Sequence, residues 1–123
     1  MSEGFPWATR EHVRFRDCDS MGHVNNAVYS TYLEQARIAI LGGLEPFILA
    51  RVEIDFRAEL HAGDDLEVRS RCSQVGTKSF TLEHEIWAGE RQVAAARSVL
   101  VGYDYEAGTS VPLTENQRRR LAA

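Results

Sequence analysis

Hydrophobic and polar residues alternate in several stretches of this chain, a pattern typical of strands with one buried face. Three such stretches lie at residues 51–57, 66–72 and 79–87. In the first stretch the alternation places Val52, Ile54 and Phe56 in the core. The core faces of the other two consist of Leu66, Val68, Ser70 and Cys72, and of Phe80, Leu82, His84 and Ile86. A fourth stretch, residues 92–105, is apolar on both faces, as expected of a strand inside a sheet.

A helical period covers residues 27–41, where apolar residues recur three and four positions apart. This spacing predicts one amphipathic helix with a single buried stripe. The predicted stripe consists of Val28, Tyr29, Tyr32, Leu33, Ala36, Ala39 and Ile40. Glu34 and Arg37 fall on the polar face, at a spacing that favours an ion pair between them; the alternative for Glu34 is a role in a pocket at a dimer interface. Gly42 and Gly43 predict the end of the helix, because glycine readily adopts positive φ.

The segment before this helix contains the most promising chemistry. Val13 and Phe15 alternate with arginines and predict a strand, which ends in the sequence Asp-Cys-Asp at residues 17–19. Asn25 or Asn26 is predicted to cap the helix. Because a helix start presents free N–H groups and partial positive charge, it stabilises developing negative charge. An acid just before it is suited to attack a carbonyl, directly or through water.

These elements together predict an α+β fold for residues 1–123 as a single domain. Short turns between the later strands require an antiparallel sheet, and the one long helix must bury its stripe against that sheet. Residues 44–49 are expected to form a loop or a short helical turn. Thr114 and Gln117 match a capping box, which predicts a short C-terminal helix. The predicted architecture is one long helix on a five-stranded antiparallel sheet.

The segment around the predicted helix start resembles the signature of hotdog-fold thioesterases. The residues that carry the resemblance are 15–19, 22–26, Tyr29, Tyr32 and 34–37. This family includes 4-hydroxybenzoyl-CoA thioesterase and the bacterial acyl-CoA thioester hydrolases. The resemblance implies a hotdog fold that hydrolyses an acyl-CoA thioester to free acid and CoA without a cofactor. A non-hydrolytic acyl-thioester binding module and a thioesterase acting on acyl carrier protein are the alternatives, because fold alone does not fix function.

The resemblance also implies catalytic roles. Asp19 matches the catalytic carboxylate, as nucleophile or general base, and Asn26 or its neighbour Asn25 matches the position whose N–H polarises the thioester carbonyl. His23 stands four residues after the acid, as a histidine does in the acyl carrier protein branch. Met21 departs from that branch, which has an asparagine at this position.

Substrate-binding residues are implied less directly. Asn25 and Tyr29 are expected to line the site, and Lys78-Ser79 matches a recurring turn of the family. The phosphates of CoA need cations. The candidates are Arg57, Arg69, Arg71, Lys78, Arg91 and Arg118-Arg119-Arg120.

Other polar residues have structural interpretations. Asp17 is expected to order the turn or to pair with a neighbouring arginine, and His84 to be a hydrogen-bonded core residue. Cys18 lies between two carboxylates, which disfavour a reactive thiolate, so both cysteines are predicted to be free thiols. The acids and His23 match no calcium or zinc spacing, so no metal is expected.

Composition narrows the class of protein. The 123 residues are 44% hydrophobic and carry a formal net charge of -4, which argues against broad nucleic-acid binding. No apolar run approaches the roughly 20 residues that span a bilayer, and the N-terminus does not match a secretory signal. We therefore expect a cytoplasmic protein that does not bind membranes. One sheet with one helix leaves open edges, and the family resemblance implies a homodimer or homotetramer.

Overall fold

The computed structural model describes residues 4–44 and 46–122. Its helices and strands follow the chain in the order β1 (Trp7–His12), a 3-10 turn (Phe15–Asp17), α1 (Val28–Leu41), β2 (Phe47–Phe56), β3 (Asp65–Val75), β4 (Ser79–Ala88), β5 (Arg91–Asp104), β6 (Thr109–Ser110) and α2 (Glu115–Leu121).

All the strands belong to antiparallel pairs. The main sheet has the order β1, β3, β4, β5, β2, and the short β6 pairs with β5. Strands β3, β4 and β5 form consecutive hairpins, while β1 and β2 join the two sides of that meander as edge strands. Helix α1 packs on this sheet, and the short helix α2 closes the chain. The predicted α+β hotdog architecture is confirmed, with β6 as an additional short strand.

The central strands agree with the alternation in the sequence. Leu66 and Val68 of β3 are buried, as are Phe80, Leu82 and Ile86 of β4. These side chains all lie on the face of the sheet that supplies the core. A strict period of two was therefore enough to assign the buried face where a strand has neighbours on both sides.

The first strand lies earlier than predicted. β1 ends at His12, and residues 15–17 form a 3-10 turn instead of continuing the strand. The backbone N–H of Arg14 donates to the Asp17 carboxylate at 3.0 Å, and the N–H of Asp17 donates to the Arg14 carbonyl. This local pairing folds the segment back on itself and leaves Phe15 exposed.

Strand β2 departs from prediction in two ways. It begins at Phe47, so part of the expected loop at 44–49 is strand, while Glu45 lies outside the described residues. Two of its predicted core residues are partly exposed, Val52 at 38% and Phe56 at 45%, and of the three only Ile54 packs against the core. The reason is that β2 is an edge strand with a neighbour, β5, on one side only.

Helix α1 ends as predicted at Gly42, which has a φ of +76°. Two assignments of its faces are wrong, because Ala39 is exposed and Arg37 is buried. Arg37 donates a hydrogen bond from Nη1 to the Ser98 hydroxyl at 3.1 Å, which draws its guanidinium inward. Within the described residues, Arg37 forms no ion pair with Glu34 of its own chain.

The C-terminal helix begins with the predicted capping box. Thr114 Oγ1 accepts from the N–H of Gln117 at 3.1 Å, and Gln117 Oε1 accepts from the N–H of Thr114 at 2.7 Å. Arg120 Nε then donates to the Ile40 carbonyl at 2.6 Å and ties α2 to the end of α1. No helix in the described part of the chain is long and apolar enough to cross a membrane.

Candidate active site

The segment between β1 and α1 forms a small antiparallel ladder that carries the candidate acid. Cys18 pairs with Val24, and the N–H of Asp19 donates to the carbonyl of His23 at 2.9 Å. The N–H of Asn25 donates to the carbonyl of Asp17 at 3.0 Å. Asp19 and His23 are therefore opposite each other across the ladder, although four residues separate them in sequence.

This ladder is fixed to the connection between β2 and β3. The N–H of Val24 donates to the Leu60 carbonyl at 2.8 Å, and His23 forms a β-bridge with His61. The candidate acid therefore lies at the end of the sheet where β2 ends and β3 begins.

Asp17 is a buried carboxylate that holds the ladder segment in place through hydrogen bonds. It is only 5% exposed, and its carboxylate accepts hydrogen bonds from the Tyr32 hydroxyl at 2.9 Å and the Arg14 N–H at 3.0 Å. The Arg14 guanidinium is 3.7 Å from the other carboxylate oxygen. Burial, and after it the hydrogen bond to Asp17, raises the pKa of Tyr32, so its hydroxyl stays protonated as the donor. Asp17 orders the turn, as predicted, and Tyr32 is its unforeseen partner.

Asp19 is more accessible than Asp17. Its Oδ1 accepts from the N–H of Met21 at 2.9 Å, which fixes the orientation of the carboxylate. Its Oδ2 is 3.9 Å from His23 Nδ1 and accepts no hydrogen bond from the described residues. The side chain is about one-third exposed. Asp19 is therefore a fixed carboxylate with one oxygen open to an incoming group, which is what nucleophilic or base catalysis requires.

His23 lies between two carboxylates. Its Nδ1 faces Asp19, and its Nε2 is 3.8 Å from Glu59 Oε1. The other oxygen of Glu59 is 3.4 Å from His61 Nε2, and His61 Nδ1 is 3.9 Å from Asp64. Most of these separations are too long for hydrogen bonds, so this row of groups acts mainly through charge.

The start of α1 contains the two asparagines for which the resemblance implies an oxyanion donor, Asn25 and Asn26. Asn25 Oδ1 accepts from the N–H of Ala27 at 2.9 Å, and the carbonyl of Asn25 accepts from Val28 at 2.9 Å. Asn25 thus orders the turn before the helix. The predicted asparagine cap is wrong, because the N-cap residue is Ala27, which has no side-chain cap, and the helix begins at Val28. Within the described residues, the backbone N–H of Asn26 donates to no acceptor. Asn26 is exposed, so this N–H remains available to a ligand.

Tyr29 lies in the core below the helix start. It is almost fully buried, and its ring makes an edge-to-face contact with Phe56 at a centroid distance of 5.0 Å. Its hydroxyl points to the Ala58 carbonyl at 3.5 Å. The predicted role of Tyr29 in substrate binding therefore requires access from the side of Phe56, at the exposed edge strand.

Lys78 and Ser79 lie at the other end of the sheet. Ser79 begins β4, whereas the residues next to the Asp19 ladder adjoin the beginning of β3, which pairs with the end of β4. Ten residues of β4 separate the two ends, and at about 3.3 Å per residue this is about 30 Å. Within one chain the structure does not bring Lys78 and Ser79 to Asp19.

Most of the cations proposed for CoA phosphates already have protein partners. Arg71 pairs with Glu83 at 2.7 Å, and Arg91 lies 3.6 Å from Asp64. Arg118 and Arg120 donate to backbone carbonyls. Over residues 4–44 and 46–122, no group of three or more His, Cys, Asp and Glu is arranged to hold a metal ion.

A long helix packed on this antiparallel sheet gives the chain a hotdog fold, and the Asp19 carboxylate lies in the segment just before that helix. The chain belongs to the thioesterase-like superfamily, whose family model matches residues 13–121. The chain is accordingly a thioester hydrolase, as predicted. Its cytoplasmic location stays a prediction.

The chain is similar to several individual proteins over most of its length. A thioesterase from Thermus thermophilus, solved as a complex with coenzyme A and Zn, is 38% identical with a TM-score of 0.89, over 98% of this chain and 100% of that chain. The uncharacterized protein YsmA of Bacillus subtilis (strain 168) is 27% identical, over 95% of this chain and 86% of its own length. A 1,4-dihydroxy-2-naphthoyl-CoA thioesterase from Synechocystis has a TM-score of 0.86 over 94% of this chain and 95% of its own, but at 22% identity it shows the fold alone.

Proposed function

We propose that this chain, as one domain over residues 1–123, hydrolyses an acyl-CoA thioester to the free acid and CoA. The observation that carries the proposal is the pairing of a fixed, accessible Asp19 carboxylate with an open N–H at the helix start on Asn26. The CoA bound to the Thermus thermophilus thioesterase supports CoA as the carrier.

Asp19 supplies the attack in this mechanism. Its open Oδ2 either adds to the thioester carbonyl carbon or removes a proton from a water molecule that adds there. The bond to the N–H of Met21 stays intact in both routes and holds the carboxylate in place. The departing pantetheine thiolate resembles that of cysteine, with a pKa of about 8.5, so departure needs no strong general acid.

The N–H of Asn26 stabilises the oxyanion that forms on the carbonyl oxygen. A backbone donor that is held by the helix start and has no competing acceptor costs little reorganisation during the reaction. The α1 dipole adds partial positive charge at the same place, because Asn26 lies within the first turn before Val28. Asn25 maintains this geometry through its bond to the N–H of Ala27.

His23 acts on the Asp19 carboxylate by charge and proton exchange in this proposal. It faces Asp19 through Nδ1 and Glu59 through Nε2, so a proton on either nitrogen lies next to a carboxylate. In the general-base route the proton that Asp19 takes from water would pass to His23 through an intervening water molecule, because 3.9 Å is too long for a direct hydrogen bond, and would then protonate the departing thiolate.

Self-association accounts for the distant Lys78 and Ser79. β2 is an open edge of the sheet. When two copies of β2 pair antiparallel, the first residues of β2 in one copy lie beside the last residues of β2 in the other. In that arrangement, β4 of one copy lies about three strand spacings, or about 15 Å, from the end of β2 of the other. A homodimer of this kind, or a tetramer built from it, would let a second copy contribute these residues to the substrate site.

A thiol-release assay tests the proposal. Purified protein is assayed against aromatic, short-chain and long-chain acyl-CoAs, with Asp19→Asn alongside and Asp104→Asn, at the end of β5, as the matched control. We expect Asp19→Asn to lower kcat by about a hundredfold or more, with an unchanged circular dichroism spectrum. Full activity of Asp19→Asn would overturn its assignment.

If the protein hydrolysed acyl carrier protein thioesters but no acyl-CoA, the proposed carrier of the acyl group would be acyl carrier protein instead of CoA. Tight acyl-CoA binding without turnover of any substrate would favour a binding module.

A further inference from the structure

The core of this protein contains a cation without a counter-charge. Arg37 is only 4% exposed, and its one hydrogen bond to the side chains and backbone of the described residues runs from Nη1 to the neutral Ser98 hydroxyl. Its Nε is buried and has no partner among the described residues. Burial lowers the pKa of Arg37, with Glu34 acting in the opposite direction. An unpaired buried guanidinium is strongly unfavourable, so this position favours an added carboxylate.

The residues deeper in the core do not supply that charge. Ser98 Oγ is 3.0 Å from His84 Nε2, and His84 Nδ1 is 2.8 Å from Ser70 Oγ. Burial, and after it the charge of Arg37, lowers the pKa of His84 to about 3. The imidazole is therefore neutral at physiological pH. The counter-charge must come from the outer side of Arg37.

On that outer side lies a cleft of about 210 Å³ between α1 and the beginning of β2. Both Arg37 and Glu34 line it, together with Phe47, Ile48 and Leu49. Glu34 is exposed and forms no ion pair with any described residue, although it lies one turn before Arg37. The cleft thus presents a buried cation and an exposed anion on the same helix.

The neighbouring surface indicates what covers this cleft. β2 is an edge strand of ten residues, with exposed apolar side chains at Leu49, Val52 and Phe56. A long apolar edge favours pairing with another strand. In a twofold interface the same surface is used by both subunits, so residue i of one contacts residue j of the other and the reverse. Glu34 and Arg37 fit this reciprocity. They are neighbours of opposite charge, so Glu34 of each subunit can face Arg37 of the other.

We propose that Glu34 of the partner subunit enters the cleft and pairs with Arg37, and that the reciprocal pair forms across the twofold axis. This rests on the self-association proposed above and goes beyond it by assigning two ion pairs that complete the core network of each subunit. The partner is a second copy of this chain, because one copy presents an acid, a base and the apolar β2 edge on the same surface, which makes that surface complementary to itself.

Reciprocal charge reversal tests the pairing. Glu34→Arg gives chains with two arginines at positions 34 and 37, and Arg37→Glu gives chains with two glutamates. Each variant alone faces like charges across the axis, whereas an equimolar mixture restores both ion pairs between unlike chains. Sedimentation velocity over a concentration series and native mass spectrometry of mass-tagged chains measure the assembly. Glu90→Arg, in an exposed hairpin turn, is the control with the same change in charge.

We expect the dimer dissociation constant of Glu34→Arg to rise about tenfold or more, with Glu90→Arg unchanged. The mixture should form heterodimers with an affinity near that of the wild type. If Glu34→Arg assembles like the wild type, the ion pair is refuted. If the mixture stays monomeric while the double variant Glu34→Arg/Arg37→Glu assembles, the pair lies within one chain and the proposal is also refuted.

Two further results separate this proposal from the function. A monomeric wild type overturns both the interface and the ion pair, whereas absence of thiol release in a dimeric wild type overturns only the proposed reaction. If Arg37→Glu fails to fold, the assembly of Glu34→Gln is compared with that of Glu34→Arg and of the wild type to test the ion pair. A graded loss of assembly from wild type through Gln to Arg supports the pair, and equal assembly of all three refutes it.

Discussion

The buried bond between Tyr32 and Asp17 offers a direct test of how the acid-bearing segment is held. Tyr32→Phe removes one hydroxyl and leaves the shape of the ring unchanged. The lost bond is 2.9 Å long and ends on a carboxylate that is 5% exposed. A hydrogen bond to a charged group contributes about 1.5–3 kcal/mol, and the Asp17 carboxylate keeps only its contacts to Arg14. We expect the free energy of unfolding to fall by about 1.5–3 kcal/mol at pH 7.

Urea denaturation followed by circular dichroism measures this change, with the slope m compared between variants to confirm a common unfolded state. Tyr29→Phe is the matched control, because its hydroxyl is 3.5 Å from a neutral carbonyl and should contribute less than about 1 kcal/mol. A loss below about 0.5 kcal/mol for Tyr32→Phe, or equal losses for both variants, would refute the argument.

The hydrogen bond between Tyr32 and Asp17 also predicts how the free energy of unfolding changes at alkaline pH. The folded state raises the pKa of Tyr32 above its ordinary value of 10.0, so the folded chain keeps a proton that the unfolded chain releases. The stabilisation is fully present below pH 10 and is lost as pH rises through the folded pKa. Tyr32→Phe should therefore show a smaller decline in stability above pH 10 than the wild type.

Two other predictions concern residues outside the site. The pKa of His84 is lowered to about 3, from 6.5 in the unfolded chain, so the free energy of unfolding should be highest above pH 6.5 and fall as pH drops toward 3. His84→Gln should make this fall shallower between pH 6.5 and pH 4 in urea titrations; a profile identical to the wild type would contradict the burial argument. Thr114→Ala should cost about 1 kcal/mol in the same assay, because it removes the cap that accepts from Gln117, and Thr114→Ser, which keeps the acceptor, should restore most of it.

The sequence predicted those parts of the fold that depend on local repetition. The faces of β3 and β4 follow from alternation, the end of α1 from Gly42, and the start of α2 from Thr114 and Gln117. Each of these signals is complete within a few residues. By contrast, Val52 and Phe56 alternate equally well but lie on an edge strand, and alternation does not show whether a strand has neighbours on both sides.

The candidate site was predicted only in part, because much of it comes from distant segments. Asp19 and His23 share one short ladder, so a local motif in the sequence contains both candidates. Glu59 and His61 approach them through the connection after β2, which no spacing in the sequence reveals. Similarly, Arg37 resembles a solvent-facing charge on a helix and is drawn inward by Ser98, which is 61 positions away along the chain.

The strand order has a consequence for how this protein acquires its activity. The meander of β3, β4 and β5 closes by short hairpins, whereas β1 and β2 must find partners across much longer separations, which slows their pairing. The ladder at 17–25 lies between those two late strands and is attached at Leu60, just beyond β2. We therefore expect the meander to form the folding nucleus, and the catalytic geometry to appear only when both edges have docked. Partly folded chains would then retain much of their sheet structure but no hydrolytic activity.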